Sequence, residues 1–244
     1  MNKRGQITLF VILAIIVVGV ILAIVYFKSQ TKTSNELTLQ QTAQGFRNNL
    51  DICVKESSNN ALLIISSQGG YIVPDNYFSD NIMHIAYWYD KGIDISPNIE
   101  KVDSEISDYT CFLINKCLNS INYTFKIDEG NCTVKATIKD DYTILNINYP
   151  IKATIGENTY NFKKFTEKIS LRLGKAYISA KSIVSEQTKH PDSICLTCIA
   201  DLGESNNMKI DIGSQNDTYV VSIKDQTLEI SKYNYTFKFA MRIK

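Results

Sequence analysis

INYTFKIDEGNCTVKATIKDDYTILNINYPIKATIGENTYNFKKFTEKISLRL, residues 121–173, is the stretch in which the hydrophobic period of the chain changes. Ile121, Tyr123, Phe125 and Ile127 alternate with polar residues, and Cys132, Val134, Ala136 and Ile138 alternate again. Successive side chains of a strand point to opposite faces, so alternation marks strands with one face toward a core. Asp128-Glu129-Gly130, Asp140-Asp141 and Gly156-Glu157-Asn158 separate the runs with turn-forming residues. Longer strands are predicted over 142–155 and 159–173. Together the four runs predict an antiparallel meander with one buried face.

Working toward the C-terminus, residues 174–188 carry Tyr177, Ala180, Ile183 and Val184 at helical spacing. A loop with His190-Pro191 and Cys195-Leu196-Thr197-Cys198 follows. Strands are predicted over 208–212, 219–223, 228–230 and 233–243, the last alternating Tyr233, Tyr235, Phe237, Phe239, Met241 and Ile243. Working toward the N-terminus, Ser96 as N-cap and Pro97 as first helical residue start a helix that runs to about 119. A short helix is read over 80–91 from Ile82, Ile85, Ala86 and Tyr89, stopped by Gly92. Residues 29–36 read as a polar linker; Thr33 and Glu36 make a capping box for a helix extending to about Ile65, which Gly69-Gly70 ends.

At the extreme N-terminus, Met1-Asn2-Lys3-Arg4-Gly5 is a basic head, and residues 7–27 contain no charge before Lys28. As a helix that run is about 31 Å long, near the ~30 Å hydrocarbon core of a bilayer. It exceeds the roughly 7–15 residues of a secretory h-region, and no small-x-small cleavage site follows it. A single transmembrane helix is therefore expected. Lys3 and Arg4 before the run and Lys28 and Lys32 after it give orientation little bias. Cysteine usage places the remainder outside the cell.

Lys3-Arg4-Gly5-Gln6-Ile7-Thr8-Leu9-Phe10, leading into an apolar helix, resembles the class III signal of archaeal type IV pilin-like proteins. The resemblance covers residues 3–27. It implies processing between Gly5 and Gln6, with the helix kept in the mature protein as the core-forming element of a filament. Many pilins place Glu at the fifth mature position; this chain has Phe10 there. A plain anchor beginning Lys-Arg-Gly is the alternative reading.

Formal net charge is +1 with both signs interspersed, which excludes a nucleic-acid-binding stripe. Lys163, Lys164 and Lys168 read as a solvent face of a strand. All six cysteines, Cys53, Cys111, Cys117, Cys132, Cys195 and Cys198, follow the apolar run. An even count outside a membrane suits disulfides. Cys53 lies on the stripe Leu39, Ala43, Phe46, Leu50, and Cys117 ends the stripe Ile99, Val102, Ile106, Tyr109, Leu113. If the stripes pack together, Cys53 pairs with Cys117, Cys111 with Cys132, and Cys195 with Cys198. The Cys-x-x-Cys segment has three readings: a structural disulfide, a metal site with His190, or a redox pair. Sequons occur at Asn122, Asn131, Asn216 and Asn234, about as many as chance supplies in a chain rich in Asn.

No metalloprotease, P-loop, nucleophile-elbow or dinucleotide motif is present in the sequence. His84 reads as a packed or surface helix residue. Asp128-Glu129, Asp140-Asp141 and Asp201 with Glu204 read as turn carboxylates, with weak calcium binding as the alternative. Tyr87-Trp88-Tyr89 reads as core packing, with a carbohydrate or partner patch as the alternative.

The expected fold class is therefore α+β: an N-terminal transmembrane helix, a helical stalk region, and an extracytoplasmic domain of mainly antiparallel sheet. The expected divisions are 1–28, 29–120 and 121–244, with one helix at about 174–188 in the last. The expected function is that of a non-enzymatic surface protein, a pilin-like filament subunit or adhesion component, single-pass in the cell membrane. The alternative is a non-polymerising, membrane-anchored binding or accessory domain. Expected partners are membrane lipid and copies of itself or related pilin-like subunits. No nucleic acid, small-molecule substrate, cofactor, metal or catalytic residue is expected.

Overall fold

A computed structural model describes residues 3–80, 82–230 and 233–243; side chains at 3–15, 25, 27–37, 226–230 and 233–234 lie outside the described residues. The first element is one helix, α1 (Lys3–Ser67). From Ala43 onward it buries one stripe: Ala43, Phe46, Leu50, Cys53, Val54, Ala61, Leu62 and Ile65. The three-to-four spacing puts these residues on a single face. Gly70 N–H donates to Ile65 C=O at 2.8 Å, and Gly69 sits at φ +74°, a left-handed cap that ends the helix. The Gly69 carbonyl then accepts from Trp88 Nε1 at 2.8 Å, which ties the helix end to the core.

A six-stranded sheet follows the order β1 (Tyr77–Ser79), β2 (His84–Asp90), β10 (Tyr233–Arg242), β9 (Thr218–Ile230), β8 (Met208–Gln215), with β3 (Ile93–Asp94) also paired to β2. Its pairs are antiparallel except β2 with β10, which run parallel. Tyr235, Phe237, Phe239 and Met241 of β10 alternate into the core and are fully buried. The second sheet is built on β6 (Thr143–Ile155). One edge of β6 pairs with β7 (Asn158–Ile169); the other pairs first with β5 (Thr133–Ile138) and then with β4 (Lys126–Glu129).

Helix α2 (Ile99–Asn119) packs on α1 and on β5, while α1 touches β6, β7 and β10. Phe46 of α1 meets Tyr123, Phe125 and Phe162 edge-on at centroid distances of 5.1, 5.5 and 5.3 Å. Edge-to-face pairs of this kind add about 0.5–1.5 kcal/mol each beyond the area they bury. Helix α3 (Leu173–Lys189) contacts β2, β3, β9 and β10 of the large sheet, and α4 (Leu196–Asn206) packs on α3 and β8. One continuous cluster of buried residues runs from Ala43 to Met241 and joins both sheets.

The α+β class with mainly antiparallel sheet stands; several expectations do not. Among the described residues no helix is long and apolar enough to cross a membrane. This overturns the expected transmembrane helix and, with it, the single-pass membrane location. Within 7–27 the described side chains are those of 16–24 and 26; the other positions of the run lie outside the described residues.

The linker at 29–36 and the helix start at Thr33 are replaced by unbroken helix. The helix read over 80–91 is strand β2, in which Ile85, Ala86, Tyr87, Trp88 and Tyr89 are all buried. Ala86 and Trp88 face the main core, while Ile85 and Tyr87 face a second small cluster with Ala240. A short apolar run buried on both faces carries neither period clearly. Helix α2 is capped by Asn98, whose Oδ1 accepts from Lys101 N–H at 2.8 Å, rather than by Ser96.

The meander is corrected as well: β4 and β5 do not pair with each other but lie end to end along β6. The ladder breaks where Tyr149-Pro150 shifts the register, since Pro150 has no N–H to donate. Its carbonyl still accepts from Gly130 N–H at 2.7 Å. The large sheet takes β1, β2 and β3 from before residue 120 and β8, β9 and β10 from after it.

Candidate functional site

The described apolar part of α1 is exposed on every side. Ile16, Val17, Val18, Val20, Ile21, Leu22, Ile24 and Tyr26 are each half or more exposed, from 50% at Val17 to 64% at Leu22. At about 100° per residue, these positions go around the helix more than twice. A helix that is apolar all round is normally covered. The side chains of the expected processing residues, Gly5 and Gln6, lie outside the described residues.

The six cysteines form three disulfides: Cys53–Cys117, Cys111–Cys132 and Cys195–Cys198. These are the pairs that packing of the two stripes suggests. Cys53–Cys117 links α1 to α2, and Cys111–Cys132 links α2 to the segment entering β5. Both hold separate elements together. Cys195–Cys198 joins residues three apart and links no two elements.

The Cys-x-x-Cys segment is not the loop expected. Cys195 is the N-cap of α4, and its sulfur accepts from Cys198 N–H at 3.3 Å. The Thr197 hydroxyl lies 3.6 Å from the same sulfur. The signal for α4 is present in the sequence: Cys195 at the cap, then Ile199, Leu202 and Gly203 at helical spacing. Gly203 is required there because a Cβ would come within 2.9 Å of the Met208 carbonyl.

A groove of about 850 Å³ runs between α3 and α4, lined by Tyr177, Ile178, Lys181, Ser182, Ser185, Glu186, Lys189, Cys198, Asp201 and Leu202. Sequence reasoning did not find it, since residues on two helices meet only in the fold. Lys189 reaches Glu186 at 2.9 Å and His190 reaches it at 3.4 Å. The Lys189 hydrogen bond holds the Glu186 carboxyl below the usual range, with desolvation acting the other way. At the other end Lys181 bonds Ser96 Oγ at 2.6 Å and Asp94 at 3.2 Å. Tyr177 donates to the Pro97 carbonyl at 2.9 Å, and burial pushes its phenol up. The groove thus carries paired charges at its rim, and exposed Ile178 and Leu196 lie on the two helices that form it.

The remaining candidates fall elsewhere. Trp88 is fully buried against Tyr177, Phe237 and Phe239, so the aromatic run on β2 is core rather than a binding patch. His84 is a strand residue, not a helical one, and its ring stacks on Tyr77 at 4.0 Å. Among the described residues no three His, Cys, Asp or Glu side chains are placed to hold a metal ion. Asp128 pairs with Lys126 at 2.9 Å and Asp141 lies 3.6 Å from Arg172. Glu129 accepts from Asn115 and from the Tyr149 hydroxyl. Asp201 and Glu204 lie on α4, not in a turn. Lys163, Lys164 and Lys168 lie on β7, and the Lys168 ammonium sits 4.3 Å from the Tyr142 ring centroid. Asn122, Asn131 and Asn216 are exposed; the Asn234 side chain lies outside the described residues. No protein-family model, no curated protein and no solved structure matches the chain.

Proposed function

We propose that the chain is a non-enzymatic structural subunit, pilin-like in its N-terminal segment, that assembles with copies of itself or related subunits. The observation that carries this reading is the apolar stretch of α1, exposed on all sides from Ile16 to Tyr26. Isolated in water this surface is unfavourable by about 25 cal/mol per Å². Bundling the same helix from several copies covers every face at once, whereas docking one partner covers a single side. The disulfides suit the same role: Cys53–Cys117 clamps the folded body onto the buried half of the helix that its exposed half would use for assembly. The resemblance of Lys3-Arg4-Gly5-Gln6 to a class III signal adds that the assembling form begins at Gln6.

The test has two parts. Mass spectrometry of protein from its native source should find a mature chain beginning at Gln6. Electron microscopy and sedimentation should find the chain in assemblies that an Ile21→Lys, Leu22→Lys double variant disperses, with the folded body retained by circular dichroism. An intact Met1 together with monomers of the unaltered chain would refute the reading.

A further inference from the structure

We propose that the outer face of the four-stranded sheet binds an acidic polysaccharide, a chain of sugar rings with carboxylates spaced along it. Leu145, Ile147, Tyr149, Ile151 and Ala153 of β6 are buried. The intervening positions of β6, and the residues paired with them, therefore point to the opposite face. The pairing sets Lys126 beside Thr154, Lys135 beside Asn146, Lys164 beside Asn148 and Lys168 beside Ile144, with Lys152 on the central strand. These five lysines come from all four strands and are all exposed. The one acidic residue that the four strands place among them is Asp128, which bonds Lys126 at 2.9 Å. Glu129 and Glu167 pair with Ile151 and Leu145 and so lie on the other face. Among the described residues Lys135, Lys152 and Lys164 enter no ion pair. The whole chain carries only +1, so strand pairing gathers a positive surface that composition conceals.

Charge spacing and neighbouring groups select the polymer. At about 3.4 Å per residue and about 4.8 Å between strands, the Lys164 backbone lies about 14 Å from that of Lys168 and about 12 Å from that of Lys135. A nucleic-acid strand carries a phosphate every ~3.4 Å along its axis, far denser than this lattice. Nucleic acids are also held by arginine forks and stacked aromatic rings. The strands place no arginine on this face, and the Tyr142 ring at its edge is taken up by the Lys168 ammonium at 4.3 Å. Lysine is a point charge, suited to carboxylates that arrive singly. Between the lysines stand Thr133 opposite Asn148 and Thr166 opposite Asn146, the latter pair meeting at 3.3 Å. Their hydroxyls and amides donate and accept, as the hydroxyls of a sugar require. Ile144 and Pro150 are partly buried, which leaves no exposed apolar side chain on these strand positions to enter a lipid surface. The inference uses neither the exposed part of α1 nor the assembly of copies.

The experiment measures binding of the full-length oxidised chain to immobilised polygalacturonate and hyaluronan, with dextran as the neutral polymer. Binding to an acidic polymer and none to dextran is expected, weakening about tenfold between about 50 and 500 mM salt. The triple variant Lys135→Gln, Lys152→Gln, Lys164→Gln should bind about tenfold more weakly or worse, with circular dichroism unchanged. Arginine at the same three positions should keep the binding. Lys55→Gln, Lys116→Gln, Lys209→Gln removes as much charge from exposed positions on α1, α2 and β8, and should leave affinity within about twofold. Absence of binding to both acidic polymers would overturn the proposal. An equal loss in the two glutamine variants would do so as well, by tracing the binding to net charge. Tighter binding to oligothymidylate or to phosphatidylserine vesicles than to either polysaccharide would replace the occupant and overturn it too.

Discussion

Replacing Cys53 and Cys117 together by Ala removes the cross-link between the two helices that carry the central packing. The sequence separation of 64 makes this the longest loop any of the three disulfides closes, against 21 for Cys111–Cys132 and 3 for Cys195–Cys198. With the chain-entropy relation, those loops correspond to about 4.3, 3.3 and 1.6 kcal/mol at 25 °C. Cys53 is also only 1% exposed, so the lost sulfur leaves a small void that adds about 1 kcal/mol. The assay is denaturant unfolding followed by tryptophan fluorescence. Trp88 is the only tryptophan, fully buried, and bonded to the carbonyl at the end of α1, so it reports the same core. The expected order of loss is Cys53/Cys117, then Cys111/Cys132, then Cys195/Cys198, with about 3 kcal/mol or more between first and last. A loss under about 1 kcal/mol for the first pair, or a loss for the third pair equal to the first, would refute the reasoning.

Two further outcomes are expected. Gly69→Ala should destabilise by about 2 kcal/mol or more, because φ is +74° and the new Cβ would meet the Lys238 carbonyl at 3.0 Å and Trp88 Nε1 at 3.2 Å; urea midpoints check it, and an unchanged midpoint with unchanged Trp88 emission would count against it. Burial first, and then the Glu129 carboxylate, push the Tyr149 phenol up to about 12, with the Asn115 hydrogen bond acting the other way. The unfolded phenol ionises near its ordinary value of about 10. The raised value therefore contributes stability that is complete below about pH 10 and is lost as pH rises toward 12. Tyr149→Phe should flatten the decline in urea midpoint between about pH 10 and 12; an identical decline in both proteins would contradict this assignment.

Much of the architecture was legible in local pattern. The period of two within 126–169 and 233–242 reflects strands with one face in the core, and that pattern depends on nothing distant, whereas the alternation at 121–125 forms no strand. The stripes carrying Cys53 and Cys117 exist on their own helices before the two meet, so their pairing could be argued from spacing. Residues 84–90 were misread because both faces of β2 are buried, which erases the alternation that identifies a strand. The end-to-end placement of β4 and β5 was hidden for another reason. It depends on which edge of β6 each strand finds, and Pro150 changes the register only once that pairing forms.

By itself, the sequence determined the helix and strand periods, the turns at Gly69-Gly70 and Gly156-Glu157-Asn158, and the apolar, charge-free character of residues 7–27. These are properties of neighbouring residues and of side-chain direction along one element. Only the tertiary structure decided that β2 runs parallel to β10 inside the large sheet and that two disulfides brace the helices while the third braces nothing. It also decided that Cys198 faces a groove made by two helices and that Ile16–Tyr26 remains uncovered. Each of these depends on which surfaces meet across long sequence separations, and local periodicity carries no record of that.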